Sequence, residues 1–207
     1  MDRIKKRTAD ETRRVILEAA YELFYRHGFA RVGLDAIAAR AGVTKRTLYY
    51  HFRSKDDLLA AALESHSELA LARIRHWGGG LPADLEGAIE SLFARLGKWA
   101  GGPRFEGAGY TRLAMELADL QGHPARAIAR RHKSSLEAWL AGELERRGAA
   151  EPAGAARQVL MLLEGAVALM IVHRDVGYVH SAAEAAKRLV QAVAKTSSSA
   201  APASPAS

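Results

Sequence analysis

Apolar residues recur at three- and four-residue intervals along most of this 207-residue chain, the period of helices that bury one face. Ile16, Ala19, Ala20, Leu23 and Phe24 fall at i, i+3, i+4, i+7 and i+8. They predict a first helix that begins near Thr8 to Asp10, runs to His27 and is stopped by Gly28. Leu34, Ile37, Ala38 and Ala41 predict a short second helix over about 34–41, ended by Gly42. Thr44 is placed to cap a third over 45–51, with Leu48 and Phe52 inward, and Ser54 to cap a long fourth that runs to about Trp77. Beyond the glycines at 78–80 and Pro82, helices are predicted at roughly 82–100, 108–120, 124–147, 152–175 and 181–195, with Gly177 as the last separator. Nothing alternates as a strand must. The expected fold is all-α: a three-helix head over 1–55, a larger helical body over 56–195, and a Ser/Ala/Pro tail over 196–207 expected to be disordered.

Charge sharpens this division. The first 55 residues hold 13 Lys and Arg against 6 Asp and Glu, whereas the remainder holds 17 of each. The whole excess of +7 therefore sits in the head, the footprint of a module that meets a polyanion. The chain has no cysteine, which excludes disulfides and thiolate chemistry. Its charged N-terminus does not read as a signal peptide, and the longest apolar stretch, 165–172, reads as part of a buried helix. The expectation is a soluble, cytoplasmic protein.

The densest chemistry is GVTKRTLYYHFRSK, residues 42–55. Two short helices joined across Gly42 make a helix-turn-helix, whose second helix puts its N-terminal side chains into the DNA major groove. Lys45, Arg46 and Thr47 stand there, with Tyr50 about one turn on. Arg or Lys suits guanine, and a threonine methyl or tyrosine ring suits a thymine methyl. Thr44, Tyr49, His51 and Lys55 are placed as phosphate donors at the rim. A half-buried Tyr49 and a purely solvated His51 remain open alternatives. The arm at Arg3, Lys5, Lys6 and Arg7 reads either as a minor-groove arm or as a frayed end.

The segment LDAIAARAGVTKRTLYYHFRSKDDLLAAAL, preceded by ILEAAYELFYRHGF, resembles the DNA-binding head of the tetracycline-repressor (TetR) family of bacterial transcriptional regulators. The resemblance covers about 10–63. It implies a homodimer on an inverted-repeat DNA operator and an all-helical body that takes a small effector. It places Thr44, Lys45, Arg46, Thr47, Tyr49, Tyr50, His51 and Lys55 on the family's DNA-contacting positions. Gly33 stands where the family commonly carries a Ser or Thr that caps the second helix and touches a phosphate, so Arg31 is the candidate to supply that contact.

For the body, the resemblance implies a four-helix dimer interface from the last two long helices. Leu162, Gly165, Ala166, Ala183, Ala186, Val190 and Val193 are the candidates, with packing inside one chain as the other reading. It also implies a pocket for a small, apolar effector. Trp77, Trp99, Phe105, Tyr110, Leu113, Leu117, Trp139, Met161, Met170 and His173 are the candidate lining, with Arg112 and Glu116 as polar handles, although each taken singly fits core packing. No phosphate loop, dinucleotide fingerprint, zinc-protease motif or nucleophile elbow occurs, so neither a catalytic residue nor a cofactor is expected. The histidines lack metal-ligand spacing. A DNA-bound structural protein without an effector is the second functional reading.

Overall fold

The computed structural model describes residues 7–102, 109–118, 120 and 122–199, the side chains of Gly109 and 195–199 excepted. Every regular element among them is a helix. Helix α1 spans Ala9–His27. The Thr8 hydroxyl accepts from the Glu11 amide at 3.2 Å, and the Glu11 carboxylate accepts from the Thr8 amide at 2.8 Å. This reciprocal pair satisfies two donors that the first turn leaves open. Helices α2 (Leu34–Ala41) and α3 (Lys45–His51) follow at the expected positions. Gly42 ends α2 with φ +66 and ψ 40, a left-handed turn that a side chain would strain. The Thr44 hydroxyl accepts from the Thr47 amide at 3.1 Å and starts α3. Helix α4 (Lys55–Gly78) begins at Ser54, whose hydroxyl accepts from the Asp57 amide at 3.0 Å.

The later helices are α5 (Leu85–Ala100), α6 (Gly109–Glu116), α7 (Pro124–Glu145), α8 (Pro152–His173) and α9 (Gly177–Ser199). Several boundaries differ from expectation, α6 among them, which ends at Glu116 rather than near 120, and three have local reasons. Helix α5 starts at 85 rather than 82 because the Asp84 carboxylate caps it, accepting from the Gly87 amide at 2.7 Å. Gly177 opens α9 instead of breaking the chain: its amide donates to the Asp175 carboxylate at 2.8 Å, and Arg174 makes the left-handed turn that ends α8. The first residues of the Ser/Ala/Pro tail, 196–199, continue α9 rather than leaving the helix, and 200–207 lie outside the described residues.

The chain forms two compact units, 1–70 with 109–132, and 71–108 with 133–207. The first thus extends past the expected head boundary at 55 and takes in α6 and the start of α7. Its core joins Ile16, Phe24, Ile37, Leu48, Phe52, Leu58 and Leu63 to Leu113, Leu117 and Ile128. In the second, α9 packs on α8 and α5 around Phe93, Leu140, Val159, Ala186 and Val190. Arg95 donates to the carbonyls of Trp77 and Gly80, and Arg147 to that of Pro82, which holds the glycine-rich turn. Helix α8 has 22 residues and is apolar enough by length and composition to cross a membrane. Its apolarity has another cause: one face lies in this core, and a second apolar face lies on the outside.

Candidate nucleic-acid interface

The recognition helix α3 divides cleanly. Leu48 and Phe52 are buried, and the Arg13 guanidinium lies 5.2 Å from the Phe52 ring centre. On the outward side Arg46 is exposed, Tyr49 is 51% and Tyr50 82% exposed, and His51 is half-buried, edge-on to Tyr50 at 5.1 Å. A tyrosine left this open to water is poor packing material but a ready contact for a base edge or sugar. Thr47 is half-buried and shares its hydroxyl with that of Thr44 at 2.8 Å, so both threonines stabilise the helix start as well as facing outward.

Two cations are less free than their sequence positions suggest. The Lys45 ammonium pairs with the Asp35 carboxylate of α2 at 3.0 Å, and that hydrogen bond and charge raise its pKa. Sequence reasoning missed this pair, although Asp35 is the one acidic residue between Glu22 and Asp56. Lys55, expected as a phosphate donor at the rim, is half-buried with its ammonium 4.2 Å from the Phe29 ring centre. Desolvation there lowers its pKa, and the nearby charges of Asp56 and Glu116 oppose that shift. Arg31 is exposed at the turn before α2. Gly33 caps α2 without a side-chain bond, and a Cβ added there would meet nothing within 4 Å. Of the basic arm, Arg7 donates to the Ala41 carbonyl at 3.1 Å, while Arg3, Lys5 and Lys6 lie outside the described residues.

The expected effector lining divides between the two units. Tyr110, Leu113 and Leu117 are buried in the first, where the Tyr110 hydroxyl donates to the Leu63 carbonyl at 2.9 Å and its ring stacks on His132 at 4.0 Å. Met170 is buried in the second; Trp77 and Trp139 are half-buried there. Trp99, Met161 and His173 are exposed, with Met161 at 67%, and Phe105 lies outside the described residues. Arg112 and Glu116, expected as polar handles, reach the junction of α1 and α2. Among the described residues no group of three or more His, Asp or Glu could hold a metal ion.

Burial raises the Tyr110 pKa, so the native state favours the neutral phenol. An unfolded tyrosine ionises near pH 10, so this group's contribution is fully present below about pH 10 and is lost as pH rises beyond it. Tyr110→Phe is expected to cost about 1 kcal/mol at neutral pH. It is also expected to melt with a smaller fall than wild type between pH 9 and pH 11, measured by circular dichroism.

The expected dimer residues also separate. Ala166, Ala186 and Val190 are buried inside the chain's own α8–α9 core, because they lie on the inward faces of both helices. Leu162, Ala183 and Val193 are half-buried against that core. Gly165 is exposed, with open space where a Cβ would go. It lies in a stripe on the opposite side of α8 with Met161, Leu169 and Val172, the last 73% exposed.

A capped recognition helix packed by its apolar side on two neighbours, with its polar side bare, defines a helix-turn-helix protein of the all-helical class. Residues 16–62 match the bacterial regulatory proteins of the tetR family. A candidate TetR regulator from Streptomyces avermitilis is 35% identical, with 84% of this chain and 97% of that one covered and a TM-score of 0.69. A TetR-family transcriptional regulator from Streptomyces coelicolor is 26% identical over 89% of this chain and 97% of its own, with a TM-score of 0.79. The chain belongs to the TetR family. The transcriptional regulator TtgR of Pseudomonas putida is 46% identical over 76 residues, 35% of this chain and 36% of its own length. The transcriptional activator FasR of Mycolicibacterium smegmatis is 44% identical over 66 residues, 32% of this chain and 30% of its own. The chain thus spans about a third of these curated relatives.

Proposed function

We propose that this chain is a homodimeric DNA-binding transcriptional regulator, a repressor released from an inverted-repeat operator by a small, apolar effector. The observation that carries the DNA-binding part is α3 itself, with Arg46 and Tyr50 bare on one side and Leu48 and Phe52 buried on the other. The uncovered apolar stripe of α8 supports a second copy of the chain as partner, since a helix apolar on both sides needs cover on both. Release requires an effector that prefers the state in which the two heads no longer match the half-site spacing. That FasR is named an activator makes the sign of control a point for experiment.

Fluorescence anisotropy on the DNA flanking the gene, against a scrambled duplex, tests the reading. With about eight phosphates neutralised per dimer, log K is expected to fall with log salt at a slope of about −7. A slope near zero, or equal binding to both duplexes, overturns it. In a promoter assay, transcription that rises on adding the protein replaces repression with activation.

A further inference from the structure

Helix α6 carries two opposite charges one turn apart, and both close on the junction of α1 and α2 inside the first compact unit. The Glu116 carboxylate accepts from the Phe29 amide at 2.9 Å and from the Ala30 amide at 2.8 Å. Arg112, four residues earlier and so on the same face, donates to the carbonyls of Tyr25 and Arg26 at 3.1 and 3.4 Å. The signs match the ends they meet. A helix C-terminus presents unpaired carbonyls to a cation, and the amides of the turn beyond it face an anion. Charge-assisted bonds to two successive amides also fix direction as well as position.

The junction is shaped for this contact. Gly28 has φ +82, and a Cβ there would lie 2.8 Å from a Glu116 carboxylate oxygen, so only glycine leaves room for the carboxylate. Phe29 is held on its other sides by Lys55 above the ring, by Phe24 at 5.6 Å and by His123 edge-on at 5.7 Å. Two residues beyond Ala30, Val32 is buried. Arg31 is therefore displayed between two fixed points, the Ala30 amide on Glu116 and the buried Val32, and Gly33 follows as the cap of α2.

We infer that Glu116 is a positioning residue for DNA contact: through the amides of Phe29 and Ala30 it holds the turn that presents Arg31 to a phosphate. This rests on the DNA-binding reading above. It assigns to α6, far along the chain from the head, a direct grip on one DNA-facing segment.

The test uses full-length protein and a duplex that the wild type selects from a random-sequence pool. Glu116→Gln keeps the side chain's size but loses its charge and one acceptor. Met115→Gln, next to it and 72% exposed, is the control. Glu116→Gln is expected to weaken binding about five- to tenfold. Its salt slope is expected to be shallower by about two per dimer, one phosphate contact per head. The Phe29 and Ala30 amides are expected to exchange faster with deuterium in the free protein, while the Met115→Gln protein matches wild type in all three. Glu116→Gln binding with wild-type affinity and slope overturns the inference and leaves the DNA-binding reading intact. A wild type that selects no sequence overturns both. Weaker binding with an unchanged slope and unchanged exchange at those two amides assigns Glu116 a general structural role and also overturns it.

Discussion

Arg46→Ala is expected to abolish sequence-selective DNA binding while leaving the fold intact. Arg46 is exposed at the second position of α3, and no ion pair engages it among the described residues, so its loss exposes no buried partner. Surface substitutions of this kind change stability by about 0.5 kcal/mol or less. A bidentate arginine–base contact discriminates against the wrong base by about 1–3 kcal/mol. With one such contact per head and two heads acting independently, the selected duplex is expected to bind about 30- to 10⁴-fold more weakly. The scrambled duplex loses only a phosphate-strength interaction. The ratio of the two affinities is therefore the decisive measurement, read by anisotropy at one fixed salt concentration. Equal losses on both duplexes would place Arg46 on the backbone instead of on a base. Lys45→Ala is a less clean probe, because it also frees Asp35 to repel the phosphates.

The head was legible from sequence because its signals are local. Thr8, Thr44 and Ser54 each cap the helix they precede, Gly42 takes the left-handed turn, and Leu48 and Phe52 repeat at helical spacing on the side that buries. The contacts that were not legible join residues far apart in the chain. Lys55 on Phe29, Lys45 on Asp35, and Glu116 on the turn after α1 depend on which elements meet, and no periodicity encodes that. The body was harder for a related reason. Large side chains such as Tyr110 and Trp77 look alike in sequence whether they pack a core or line a cavity, and the division of α4 and α7 between two compact units has no composition signal. Helix α8 was legible only in part. Of its small residues, Ala166 serves the chain's own core, whereas Gly165 lies on the outward face with Met161, Leu169 and Val172.

That outward face carries the second large effect. Leu169→Glu together with Val172→Glu is expected to convert a dimer into a monomer and to remove operator binding at working concentrations. Both side chains are exposed in the single chain, so glutamate costs the free protomer little there. In a dimer that covers the stripe, two carboxylates from each protomer lose water and face two more, and each unpaired buried charge costs several kcal/mol. Light scattering is expected to report a mass near the 22.4 kDa of one chain for the variant and near twice that for wild type. Circular dichroism is expected to match at low temperature. The loss on DNA follows from geometry alone: coupling two half-site contacts raises affinity by about 10²- to 10⁴-fold, and a monomer forfeits that gain without any change in α3. A variant of wild-type mass would move the interface off this face of α8. A monomer that keeps full operator affinity would instead show that one head suffices, and the inverted-repeat reading would fall.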